Sequence, residues 1–194
     1  MTSLPAPLVS LIAQFEAATA EATAIAGSTT EEAFSRRVDE KAWSAADCLA
    51  HLNATNEKYL RRLERIIAEA QPSESPRYEP TFVGRIFKAQ MEPPVRFRLR
   101  APKVFVPPGP VPPRAELLAE FEEIQARITR AIESAASLDF SRVRMRSPAS
   151  RFLKMNLWDA FQVIIAHERR HLWQARRAVG AELSSSPEPS PTPR

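Results

Sequence analysis

Apolar residues recur at three- and four-residue steps in four long stretches of this chain. Over residues 4–26, Leu8, Leu11, Ile12, Phe15, Ala18 and Ala22 fall on one side of a helix, and Gly27 stands where a C-terminal cap is expected. From Ser44 to about Ala70 the buried stripe is Cys48, Leu52, Thr55, Tyr59, Leu63, Ile66 and Ile67, with His51 on its edge and therefore turned inward. This second helix starts sharply: Ser44 can cap the amide of Asp47 while Asp47 reaches back, and Trp43, just before the cap, can pack on Cys48. A third helix over about Pro113 to Leu138 offers Leu117, Leu118, Phe121, Ile124, Ile128 and Ile132. A fourth begins near Asn156, a capping residue with Asp159 three positions on, and carries Ala160, Ile164, His167, His171, Gln174 and Ala178 on one face.

The connections are less regular. STTEEAFSRRV has a capping-box pattern from Thr29 to Glu32 and predicts one or two helical turns across one end of the molecule. From Gln71 to Pro113 proline dominates, apart from FVGRIFKAQM, which reads as two or three turns of helix. A link of about forty residues is long for a compact domain and calls for a topological reason. The second helix would be roughly 40 Å long, and such a link can travel back along it, so that the second and third helices run parallel. RFRLR at 96–100 alternates as an extended segment would, and its arginines, with Arg85, either stay solvated or line an anionic ligand's approach; solvation is the preferred reading. DFSRVRMRSPAS is read as a loop ending at Ser147 and Pro148. The Ser/Pro-rich tail AELSSSPEPSPTPR is expected to be disordered, so one domain over residues 1–180 and a tail over 181–194 are expected. The fold class is all-α, a four-helix bundle with one long Pro-rich crossover.

Composition narrows the function classes. Only 4 Gly among 194 residues argues against a Gly-rich phosphate loop, and 27 Lys and Arg interspersed with 23 Asp and Glu argue against a nucleic-acid partner. The single Cys48 excludes an internal disulfide and reads as a small buried residue; with no signal-like N-terminus and no apolar run of bilayer length, a cytoplasmic protein without membrane contact is expected.

The chain has three histidines, and two of them, His167 and His171, are one helical turn apart in HERRH. That spacing lets both present a ring nitrogen to one ion. HERRH also fits the zinc-protease pattern HExxH with Glu168 as general base. A protease needs a further ligand downstream, where only Glu182 is acidic and within reach of the helix, so that reading is the weaker one. His51 is the natural third ligand if the second and fourth helices touch. Three imidazoles leave one side of a divalent ion open, as catalytic sites do, and imidazole ligation suits zinc or nickel first, then iron or copper. The bland alternative is that His51 is a hydrogen-bonded core residue and the pair is polar decoration. Asp47 and Gln174 are candidates to orient the rings, or merely a cap and a core amide. Glu168 is the catalytic candidate, as a proton shuttle; turned about 100° from His167, it could equally face solvent.

WSAADCLAHL, with Trp43, Ser44, His51 and Leu52, the Pro-rich middle and HERRHLWQARR together resemble the DinB-like superfamily, which includes the DinB proteins and the YfiT-type metal-dependent hydrolases. The resemblance covers the chain from the first helix to about Val179. It implies an up-down-down-up bundle, a divalent transition metal on His51, His167 and His171, and a homodimer. It also implies a small-molecule substrate, since some relatives transfer low-molecular-weight thiols or use them in isomerisation while many have no known activity. Ser147 and Pro148 depart from relatives with a His-Pro pair and a Gly before the last helix. A hydrolase or thiol S-transferase is therefore expected, and a non-catalytic stress-related scaffold with a structural or vestigial metal site is the alternative.

Overall fold

The computed structural model describes residues 3–39, 42–93, 110–149 and 153–185, with side chains as far as Gly180. The protein is mostly helical. In chain order the elements are α1 (Ala6–Gly27), α2 (Glu31–Ser35), α3 (Ala45–Glu69), α4 (Phe82–Met91), α5 (Arg114–Ser134), β1 (Arg144–Arg146), β2 (Lys154–Asn156) and α6 (Leu157–Ser185). The four long helices are those anticipated from the apolar periodicity, and each packs against two others: α3 on α5 and α6, and α1 on α5 and α6. The core lies between them. Phe15, Leu52, Leu60, Leu63, Phe121, Ile128 and Phe161 are all buried there, each worth about 1.5–3 kcal/mol of transfer from water.

Local chemistry explains the element starts. Ser44 accepts from the amide of Asp47 at 3.1 Å, and the Asp47 carboxylate accepts from the amide of Ser44 at 2.9 Å, a reciprocal capping box for α3. Asn156 caps α6 by accepting from the Asp159 amide at 2.7 Å. At α2 the cap is Thr30 rather than Thr29, since Thr30 accepts from Ala33, three residues on. Gly27 is the last residue of α1 and Ser28 takes the cap position in a right-handed conformation that needs no glycine.

Two regions differ from expectation. The stretch read as a loop contains an antiparallel pair, with Met145 opposite Met155 and both buried. The alternation of arginine and apolar residues there puts Arg144 and Arg146 outward and Met145 inward. Strands of three residues are too short for sequence periodicity to announce, and they depend on Leu157 donating to the carbonyls of Phe140 and Val143 for their place. The C-terminal helix continues to Ser185, past the boundary drawn at residue 180; the rest of the tail and RFRLR lie outside the described residues.

Within the linker, FVGRIFKAQM is helix α4, capped by Thr81 and packed on α6. Asp159 anchors its start, accepting from the Thr81 amide at 3.0 Å and its hydroxyl at 2.7 Å. Gly84 is required by that approach: a Cβ there would land on the Asp159 carboxylate. Lys88 donates to Gln162 at 2.6 Å, and Arg169 pairs with Glu92 at 2.7 Å. Arg85 is exposed. Among the described residues α1 alone is long and apolar enough, by length and composition, to cross a membrane, which amends the expectation that no stretch reaches that size. Its Leu8, Leu11, Phe15, Ala18 and Ala22 are buried inside the protein.

Candidate metal centre

Because α3 packs along α6, His51 meets the pair His167 and His171. One ring nitrogen from each lies within 4.8 Å of the other two. The Nε2 atoms of His51 and His167 are 3.2 Å apart. The ring centroids are 4.5 Å apart for His167 and His171, 4.6 Å for His51 and His171, and 5.1 Å for His51 and His167. His51 and His171 are buried and His167 is partly exposed.

The electrostatics favour neutral rings at His167 and His171. Burial, then the neighbouring His51 and Arg170, pull His167 down to about 3, and burial with the same neighbours and His167 holds His171 well below its ordinary value. Gln174, three residues beyond, acts in the opposite sense on His171 through a hydrogen bond. Neutral imidazole is the form that ligates metal, and the buried Nδ1 atoms of His167 and His171 have no protein partner. Three ring nitrogens around one point, with unpartnered nitrogens on His167 and His171 among them, fit a divalent transition metal as donors.

Trp43 forms a wall of the cluster that sequence reasoning did not place there. Its ring stacks on His171 at 5.6 Å and 25°, and meets His51 edge-on at 5.0 Å and 63°. Its position immediately before the α3 cap was legible; its turn toward the imidazoles needs α6 in place. Arg170, between the two α6 histidines in sequence, is half-buried, and that burial lowers its pKa.

The other sequence candidates fall elsewhere. Asp47 serves the cap and a two-pronged ion pair with Arg37, both contacts at 2.6 Å, so it is occupied away from the rings. Cys48 is buried, and burial raises its thiol pKa far above the ordinary value, which makes it a core residue rather than a nucleophile. Glu182 lies where side chains are not described. Glu168 does not face solvent: it is wholly buried, and its Oε1 accepts from Asn56 and from Gln125, both at 2.7 Å. Burial pushes its carboxyl up to about 8 against the pull of those two amides.

A family model described as DinB superfamily matches residues 14–175, a span that includes all three histidines. No curated protein and no solved structure matches the chain.

Proposed function

The chain belongs to the DinB superfamily, and we propose that it is a metal-dependent enzyme, a hydrolase or thiol S-transferase, built on His51, His167 and His171. The observation that carries this reading is the convergence of three ring nitrogens from two helices within 4.8 Å. A divalent ion, zinc or nickel before iron or copper, would lower the pKa of a thiol or a water and polarise an electrophile there. The protein's own contribution is to hold three ring nitrogens in place, with burial keeping His167 and His171 neutral. Trp43 closes one side of the cluster, and Arg170 sets a positive charge beside it. Glu168, directly after His167 and held by Asn56 and Gln125, is the proton shuttle in this reading.

The reading carries with it an up-down-down-up four-helix bundle whose Pro-rich crossover joins α3 to α5, a cytoplasmic homodimer, and a small-molecule substrate such as a low-molecular-weight thiol. A second reading draws on the 3.2 Å contact between His51 and His167, through which the rings can satisfy each other without an ion: a scaffold with a structural or vestigial site. Metal analysis of protein purified without added ions tests the site, with the native chain holding close to one equivalent and His51→Ala far less. An electrophile screen with several cellular thiols then tests the chemistry. Absence of transition metal from the native chain refutes the site, and turnover that survives replacement of all three histidines refutes the enzyme.

A further inference from the structure

The two short strands gather positive charge that the sequence disperses. Alternation along β1 buries Met145 and turns Arg144 and Arg146 outward, and on β2 Met155 is buried while Lys154 is exposed. Arg146 stands directly opposite Lys154 in the pairing. The next pair along is closed by the Ser147 amide, which donates to the Leu153 carbonyl at 2.8 Å. Arg146 and Lys154 are therefore a non-hydrogen-bonded pair, the kind whose side chains approach most closely. Like charges so placed destabilise a sheet, and two strands of three residues are marginal even without that repulsion. Arg62 joins them from α3, donating to the Arg146 carbonyl at 3.0 Å. Elsewhere Arg36, Arg37, Arg61, Arg127 and Arg169 each reach a carboxylate. Arg62, Arg144 and Lys154 reach none among the described residues. The acids nearest to the strands in sequence are already engaged, Asp139 by Arg77, Arg142 and Ser141, and Asp159 by Thr81.

We propose that Arg144, Arg146 and Lys154, with Arg62 beside them, form a binding site for the phosphoryl group of a soluble phosphorylated ligand. Arg144 and Arg146 share a face two residues apart and Lys154 lies across from them, so three cationic arms start about 5–8 Å from one another. One phosphoryl group can bridge that span. Guanidinium is the side chain suited to it, since its planar fork meets two phosphate oxygens at once, and a shared dianion turns a repulsive pair into common partners. The cations converge on one place rather than running in a stripe, which fits a single phosphate better than a nucleic-acid backbone. A soluble ligand fits better than a lipid headgroup. The large exposed apolar residues of the described protein, Val9, Val38, Phe82, Val83, Ile86 and Val111, all lie outside the strands and α3, so nothing here is fitted to enter a bilayer. Arg62 follows His51 by eleven residues on α3, about 16 Å along the helix, and the site is thus separate from the imidazole cluster.

The test titrates the full chain, as purified, with pyrophosphate in a calorimeter at low and at high salt, with vesicles containing phosphatidic acid as a parallel arm. The expected result is saturable binding of one pyrophosphate per chain, weakening as salt rises. Arg144→Gln and Lys154→Gln should each weaken it about tenfold with metal content unchanged, which assigns the loss to the strands and not to the imidazoles. Lys154→Gln also separates a ligand site from an ordinary solvated face. Relief of the like-charge pair should raise the melting temperature of the ligand-free protein by about 1–3 °C, while the further rise that pyrophosphate gives the native chain shrinks. No saturable binding in the native chain, or undiminished binding in folded Arg144→Gln and Lys154→Gln proteins, overturns the proposal. Binding confined to the vesicles overturns it as well.

Discussion

Gly84→Ala tests how α4 is held. None of the ten residues of α4 is buried, and Phe82, Val83 and Ile86 are exposed, so apolar burial does little to keep this helix on α6. Polar contacts do the holding, and the one that depends on Gly84 is the Asp159 carboxylate, which accepts from the Thr81 amide and hydroxyl. A Cβ at position 84 occupies the space of that carboxylate, so the substitution must displace either Asp159 or the helix. Both Thr81 bonds are then lost. A hydrogen bond to a charged acceptor is worth about 1.5–3 kcal/mol, which places the local loss at about 3–6 kcal/mol, or two to four decades in the opening equilibrium of α4. Helices α3 and α5 share none of these bonds and should keep their protection. Hydrogen exchange read by mass spectrometry, peptide by peptide, measures this: protection over Phe82–Met91 should fall by a factor of about 10² to 10⁴ while α3 and α5 change little. Unchanged protection in α4 refutes the account of the anchor, and an equal loss throughout the molecule refutes the idea that α4 opens separately.

Ser44→Ala removes the cap acceptor of α3 and half of the capping box, and should cost about 1 kcal/mol, seen as a fall of roughly 2–4 °C in melting temperature; a change smaller than measurement error would show that the ion pair of Arg37 with Asp47 supports that end unaided. In chelator, acid should destabilise the protein through the histidines. His167 is held down to about 3 and His171 well below its ordinary value, against about 6.5 in the unfolded chain, so the unfolded chain takes up protons that the folded one refuses. The stability contributed by the neutral rings is complete above pH 6.5 and is lost as pH falls toward 3, at up to about 1.4 kcal/mol per pH unit for each histidine. Urea midpoints at pH 7 and pH 5 should show this slope, reduced in His167→Gln; equal slopes in the two proteins would refute it.

Much of this protein is determined along the chain itself. Helix-period apolar stripes define α1, α3, α5 and α6, short-range capping places the starts of α3 and α6, and the four-residue spacing of His167 and His171 puts them on one face, because each of these depends on neighbours within one or two turns. The stripe around Cys48 and Thr55 also turned His51 inward, as found. What periodicity cannot decide is which neighbour a face meets. Glu168 illustrates this: its own helix suggested solvent or the metal, and only amides from α3 and α5 make a buried carboxyl at that position intelligible. Trp43 needed α6 beside it to become a wall of the imidazole cluster. The Met145–Met155 pairing and the seat of α4 on Asp159 likewise depend on segments distant in sequence. The chain specifies its helices locally, and tertiary packing decides which polar side chains meet inside them, since a buried polar group is tolerable only where another element brings it a partner.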